Sequence, residues 1–332
     1  MKVDAALAFN ALSDVPAVAR RLEAAGYDGA YTFEGPHDPF FPLLLAGEHT
    51  ERLELYTAVA IGFARNPMTL AGIAYDLHLA SRGRFALGLG TQIRPHVERR
   101  FSMPWSRPVE RMREMVLAIR AIWSCWHERT KLDFRGEFYT HTLMTPFFDP
   151  GPSPFGLPRI LLAGVGPRMT EVAGEVADGF LVHPFTTPKY LREATHPALE
   201  RGLARSGRTR RDLEIAFPVM AGAFTNDEER TRVRDALRSR VAFYGSTPAY
   251  RPVLEAHGWG DLQPELNALS KRGEWAAMSA LVTDEVVDEF CVVAPPDALP
   301  DAIRGRYGDL VDRVSLDVGV ADVAPLVARL RG

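Results

Sequence analysis

The alternation of two residue periodicities constrains this chain more than any other feature. From the first residue almost to the last, short apolar runs of strand length give way to longer amphipathic stretches and then return. Strand signals fall at residues 3–9, 29–34, 53–61, 84–89, 159–163, 179–183, 213–224 and 313–318. Helical patterns fall between and after them, at 15–25, 39–49, 67–80, 108–126, 167–177, 188–205, 226–243, 298–306 and 323–330. Several open at or beside proline, which suits a first helical turn whose N–H groups lack intrahelical partners, and Gly26 closes the first. A strand followed by a helix pairs with the next strand in parallel. Eight such units predict an α/β protein with a closed (β/α)8 TIM barrel rather than an open sheet.

Two stretches break the rhythm. Residues 131–157 are aromatic and proline-rich, and residues 245–289 carry Trp259 and Trp275 among short helical turns. Long insertions in barrel loops often cover the site, so both are expected at the C-terminal face; a packing subdomain or a dimer contact serves equally well. The chain of 332 residues is therefore read as one barrel domain over 1–332 with these two insertions.

Composition narrows the function. With 39 basic and 42 acidic residues the formal charge is -3, which offers no basic field to nucleic acid or a membrane surface. Asp4 interrupts the first apolar run and no eighteen apolar residues run together, so neither a signal peptide nor a membrane span is expected, and the cytoplasm is the expected compartment. Cys125 and Cys291 form no metal-ligand cluster, and Cys125 sits inside an apolar helical pattern as a packing residue. No metal site is expected.

In such a barrel the chemistry gathers at the carboxyl ends of the strands. The stretch 159–184, RILLAGVGPRMTEVAGEVADGFLVHP, reads as strand, glycine turn, helix and strand. Gly164-Val165-Gly166 permits close backbone approach, and Pro167 opens a helix whose first-turn amides, at Arg168, Met169 and Thr170, face an anion. Arg168 adds a full positive charge; a plain packing turn is the other reading. The second strand ends in Phe33-Glu34-Gly35-Pro36-His37-Asp38, which places two carboxylates and an imidazole where protons can move; for Asp38 a helix-capping role is the better reading. Small residues at Ala58 and near Val59 leave room for a flat ligand or fill a crowded barrel layer. After the fourth strand, Gly90, Thr91 and Gln92 can hydrogen-bond a heteroaromatic ring, while Arg94 and His96 reach for an acidic or carbonyl group. The sixth strand delivers His183 beside the glycine turn.

Taken in order, AAGYDGAYTFEGPHDPF, EHTERLELYTAVAIGFARNPMTLA, LHLASRGRFALGLGTQ, RMREMVLAIRAIW, FRGEFY and AGVGPRMTEVAGEVADGFLVHPF resemble the luciferase-like monooxygenase superfamily and, within it, the coenzyme F420-dependent oxidoreductases. The likeness spans roughly residues 1–203. It implies a flavin-type ring against Ala58 and Val59, with Glu34, Thr91 and Gln92 around it. The cofactor phosphate would lie on Gly164, Val165, Gly166, Arg168, Met169 and Thr170, with His183 alongside. It implies a cis non-proline peptide at Ala58–Val59 or the next bond, a homodimer, and hydride transfer between deazaflavin C5 and a small organic substrate such as an enoyl, imine, ketone or alcohol. Glu34, His37 and His96 are the implied proton carriers. Sugar-phosphate dehydrogenases of the superfamily carry an Asp-His pair where this chain has Glu34-Gly35, and a Glu where it has Gln92-Ile93, so glucose 6-phosphate chemistry is not expected. An FMN-dependent monooxygenase and a non-catalytic flavin-binding homologue are the alternatives.

Overall fold

Eight parallel strands pair in chain order into a closed ring. The computed structural model describes residues 1–316, 318 and 322–332. The strands are β1 (Lys2–Ala6), β2 (Gly29–Thr32), β3 (Glu54–Thr57), β4 (Phe85–Gly90), β5 (Arg159–Gly164), β6 (Gly179–Val182), β7 (Glu214–Pro218) and β8 (Arg313–Ser315). The ring closes where the first strand meets the last, with Lys2 opposite Arg313 and Asp4 opposite Ser315. Helices surround it, as expected of a (β/α)8 barrel. The strands read as apolar runs because both faces are covered: Val3, Leu55, Leu87, Ile160 and Val314 point outward into the main core beneath the helices. Tyr56, Ala86, Leu161, Leu181 and Ala216 form a separate cluster inside.

Three elements differ from the sequence pattern. The expected strand 53–61 breaks at a bulge, after which Ala60–Ile61 pairs with Leu89 and Gly90. The Ala58–Val59 peptide is cis, at the first of the two bonds implied by the resemblance. The bulge is tied to the end of β2, since Ala58 N donates to Thr32 O and Glu34 N to Val59 O. The expected strand 213–224 stops at Pro218, which has no N–H for a ladder; Ala221–Ala223 leaves the barrel and pairs with Val292–Ala294. The expected helix 188–205 contains a wide turn at Leu191–Thr195, because Pro197 cannot donate to Glu193 O. Of the expected last strand, 313–318, residue 317 lies outside the described residues.

One glycine shows how tightly the strands are packed. A Cβ on Gly88 would sit 1.7 Å from Thr57 O, and Gly88 N already donates to Thr57 Oγ1 at 2.9 Å. Only glycine fits.

The two insertions occupy different places. Residues 131–157 start between the helix Pro108–Glu128 and β5 and reach back along that helix to its first two turns. Their hairpin, Phe134–Arg135 with Thr140–His141, is held to that helix by Glu114, whose carboxylate accepts from the amides of Glu137, Phe138 and Tyr139. Residues 245–289 form short helices that pack against Asp227–Gly245 around a second apolar cluster including Phe185, Val241, Leu254, Leu266 and Phe290. No described helix is long and apolar enough to cross a membrane.

Candidate active site

A cavity of about 580 Å³ opens at the carboxyl ends of the strands. Its floor is a charge that the barrel compensates internally. Asp4 on β1 takes two hydrogen bonds from Arg313 on β8, at 2.6 and 2.7 Å, and a third from Tyr56 Oη at 2.8 Å. Burial pushes the Asp4 carboxyl up and the Tyr56 phenol well up, and Arg313 draws Asp4 the other way. Tyr31 stacks on Tyr56 with ring centroids 5.4 Å apart, so the layer above Asp4 is aromatic and flat.

One wall comes from β2 and the bulge: Phe33, Ala58, Val59 and Ile61 line it. Glu34 stands at its edge with Oε2 accepting from Ile61 N at 2.7 Å and from Arg65 Nη1 at 2.6 Å. The opposite wall begins at the end of β5, with Gly164 and Val165, and continues through His183 and Pro184 after β6. His183 Nδ1 accepts from Phe185 N at 3.0 Å, which leaves the ring proton on Nε2. Burial pushes His183 down to about 4, so the ring is neutral near pH 7. Its faces meet Tyr244 and Tyr250 at centroid distances of 5.1 and 4.2 Å, and burial lifts the Tyr250 phenol to about 12.

Beside the cavity, the helix Pro167–Val176 begins at Gly166 with no side chain capping its first amides. A Cβ on Gly166 would meet nothing within 4 Å. Thr170 Oγ1 donates back to Gly166 O at 3.1 Å, and Arg168 reaches Glu110 on the neighbouring helix.

Residues 2–313 match the family described as luciferase-like monooxygenase. The chain belongs to that family. An uncharacterized protein of Mycobacterium tuberculosis is 55% identical over 314 residues, covering 95% of this chain and 92% of its own length. The 5,10-methylenetetrahydromethanopterin reductase of Archaeoglobus fulgidus is 29% identical over 318 residues, covering 92% and 86%. Among solved structures, the coenzyme F420-dependent tetrahydromethanopterin reductase of Methanopyrus kandleri shares the fold, with a TM-score of 0.78 at 18% identity over 99% of this chain and 96% of its own. The relatives named here by activity are reductases.

In this luciferase-like chain the structure gathers only part of the residues that the sequence singles out. Glu34, Ala58, Val59 and Gln92 line the cavity from one side, Gly164, Val165 and His183 from the other. Gln92 has φ +60 and turns its Oε1 back onto Ile93 N. Thr91 and Met169 are half-buried outside the lining, and Gly166 and Arg168 are exposed at the helix start. Val165 and Thr170 share a smaller hollow of about 150 Å³. His37 is exposed and lies against Phe9, and His96 is exposed at the start of the turn His96–Arg100 after β4; neither lines the cavity. Among the lining residues that sequence did not single out are Arg240 and Tyr244. Both belong to a helix that periodicity located, but no pattern said which of its faces would meet the barrel mouth.

Proposed function

We propose that this protein is an F420-dependent oxidoreductase acting on a small organic substrate. The observation that carries the reading is Gly166. Its φ of -83 does not require glycine, and an added Cβ would meet no protein atom, so the fold itself leaves that space open. The space adjoins uncapped amides at a helix start, which favours an anion, and the exposed Arg168 beside it adds charge. Gly164, Val165, Gly166, Arg168, Met169 and Thr170 would hold the cofactor phosphate, and the residues present fit that group.

Ala58 and Val59 offer a flat apolar wall for the ring, with Thr91 and Gln92 near its rim. Bound there, a deazaflavin supplies a hydride at C5. Glu34 has one carboxylate oxygen fixed by Ile61 N and Arg65, which aims Oε1 as a hydrogen-bond acceptor for a ring or substrate N–H. His37 and His96, which do not line the cavity, would act on substrate only through a movement of their loops. The largely apolar lining excludes water around an enoyl, imine, ketone or alcohol carbon.

Titrating the purified chain with F420 and with FMN tests the reading. Tight F420 binding supports it. Tight FMN binding without F420 binding overturns it in favour of an FMN-dependent monooxygenase. Cofactor binding with no turnover of any reducible substrate would make the protein a non-catalytic flavin-binding homologue.

A further inference from the structure

We infer that the substrate of this cavity carries a carboxylate, held against Arg240, Tyr244 and His183. The inference rests on the cavity being the reaction site proposed above. Arg240 and Tyr244 lie four residues apart on the helix Asp227–Gly245, so they share a face, and both line the cavity. Tyr244 meets His183 edge-on at 5.1 Å, which brings the three side chains to one wall.

The wall is rich in donors. His183 Nδ1 is occupied by Phe185 N, so Nε2–H is what the ring has left to offer. Arg240 donates and cannot accept, and the Tyr244 hydroxyl donates readily. Among the described residues none of these three donors has a hydrogen-bond partner in the protein. A ligand that matches them is rich in acceptor oxygens.

Charge points the same way. Asp4 is matched by Arg313 and Glu34 by Arg65, so the other ionised groups of the lining are already compensated. On Arg240's own helix, Arg232 pairs with Glu229, Arg234 with Asp284 and Asp288, and Arg238 with Asp284. Arg240 has no such carboxylate among the described residues and turns to the cavity instead. A guanidinium beside two neutral donors is a carboxylate-binding arrangement. Apolar lining residues clear of the ring wall, Val219 and Met220, would then take the substrate's carbon skeleton.

Calorimetric titration of the full chain, with and without F420, against short straight-chain monocarboxylates and their primary amides tests this. The carboxylate is expected to bind about tenfold tighter than the matching amide, with the difference shrinking as salt is raised. Arg240→Gln is expected to remove that preference while leaving F420 affinity and the thermal midpoint unchanged. Equal binding of acid and amide, no binding of either, or a preference that survives Arg240→Gln overturns the inference. A loss of F420 affinity in Arg240→Gln also overturns it, since Arg240 would then serve the cofactor. If F420 fails to bind but the carboxylate preference and its loss in Arg240→Gln remain, the cofactor reading falls and this one stands.

Discussion

Glu34 and Arg65 form a pair that fastens the second strand to the segment beyond the bulge. Arg65 Nη1 donates to Glu34 Oε2 at 2.6 Å, and the same oxygen takes the Ile61 amide at 2.7 Å. Both side chains are largely withdrawn from water, 7% exposed for Glu34 and 16% for Arg65. One carboxylate oxygen therefore fixes the wall on which Ala58 and Val59 stand.

Removing Arg65 strands the Glu34 carboxylate, whereas removing Glu34 leaves Arg65 a second carboxylate, Asp38, at 3.3 Å. Arg65→Ala is therefore expected to destabilise by about 3 kcal/mol and Glu34→Ala by less. The double variant should lose less than the sum. Urea unfolding of the three variants measures this, and full additivity would show that the pair is not coupled.

Gly88 and Gly166 should respond oppositely to one methyl group. Gly88→Ala drives Cβ into Thr57 O, a backbone atom that cannot yield, and should cost more than about 3 kcal/mol or prevent folding. Gly166→Ala meets no protein atom and should cost no more than about 1 kcal/mol, the N-cap preference for glycine over alanine. It should nevertheless weaken F420 binding about tenfold by filling the space where we propose the phosphate lies. Thermal melts and F420 titration separate the two effects.

Acid should act through Glu214. Burial pushes its carboxyl up, but Arg313, Arg159 and Lys2 together hold it down, at about 2 against an ordinary 4.5. A carboxyl depressed in the folded state contributes stability that is complete above its unfolded value and is lost as pH falls toward its folded value. The window is therefore about pH 4.5 down to 2. Glu214→Gln should be less stable at neutral pH, and its stability should fall less steeply through that window. Denaturant midpoints at neutral pH and at several points below 4.5 decide; parallel curves for the two proteins would exclude Glu214 as the titrating group.

Arg168 is 73% exposed, and its pair with Glu110 is a surface ion pair worth under about 1 kcal/mol. Arg168→Ala should melt like the parent. Its F420 affinity should drop several-fold with a shallower dependence on salt, since the proposed phosphate site loses a positive charge. Unchanged affinity and salt slope would place the phosphate elsewhere.

Much of the frame could be read from the chain because local physics writes it there. A sheet covered on both faces needs continuous apolar strands, and β5 and β6 show them. Gly164, Gly166 and Pro167 announce a strand-to-helix turn by backbone chemistry alone. Glu34 was legible as a strand-end carboxylate; its partner Arg65, thirty-one residues on, was not. His37 and, less strongly, His96 were eligible from the sequence, yet both are exposed, because exposure depends on how a loop folds back. Arg240 and Tyr244 went unseen because helical period fixes which residues share a face and says nothing of what that face meets.

The sequence by itself determined the order of strands and helices, the parallel sheet and the anion-favouring turn, each set by residues a few positions apart. Tertiary structure decided the rest. Asp4 and Arg313 are 309 residues apart and bond at 2.6 Å only because the ring closes. Closure also brings Glu54 and Glu214 to the same guanidinium, at 2.9 and 3.0 Å, where Lys2 and Arg159 balance them. No local pattern encodes such a contact, since it exists only when every intervening strand has taken its place.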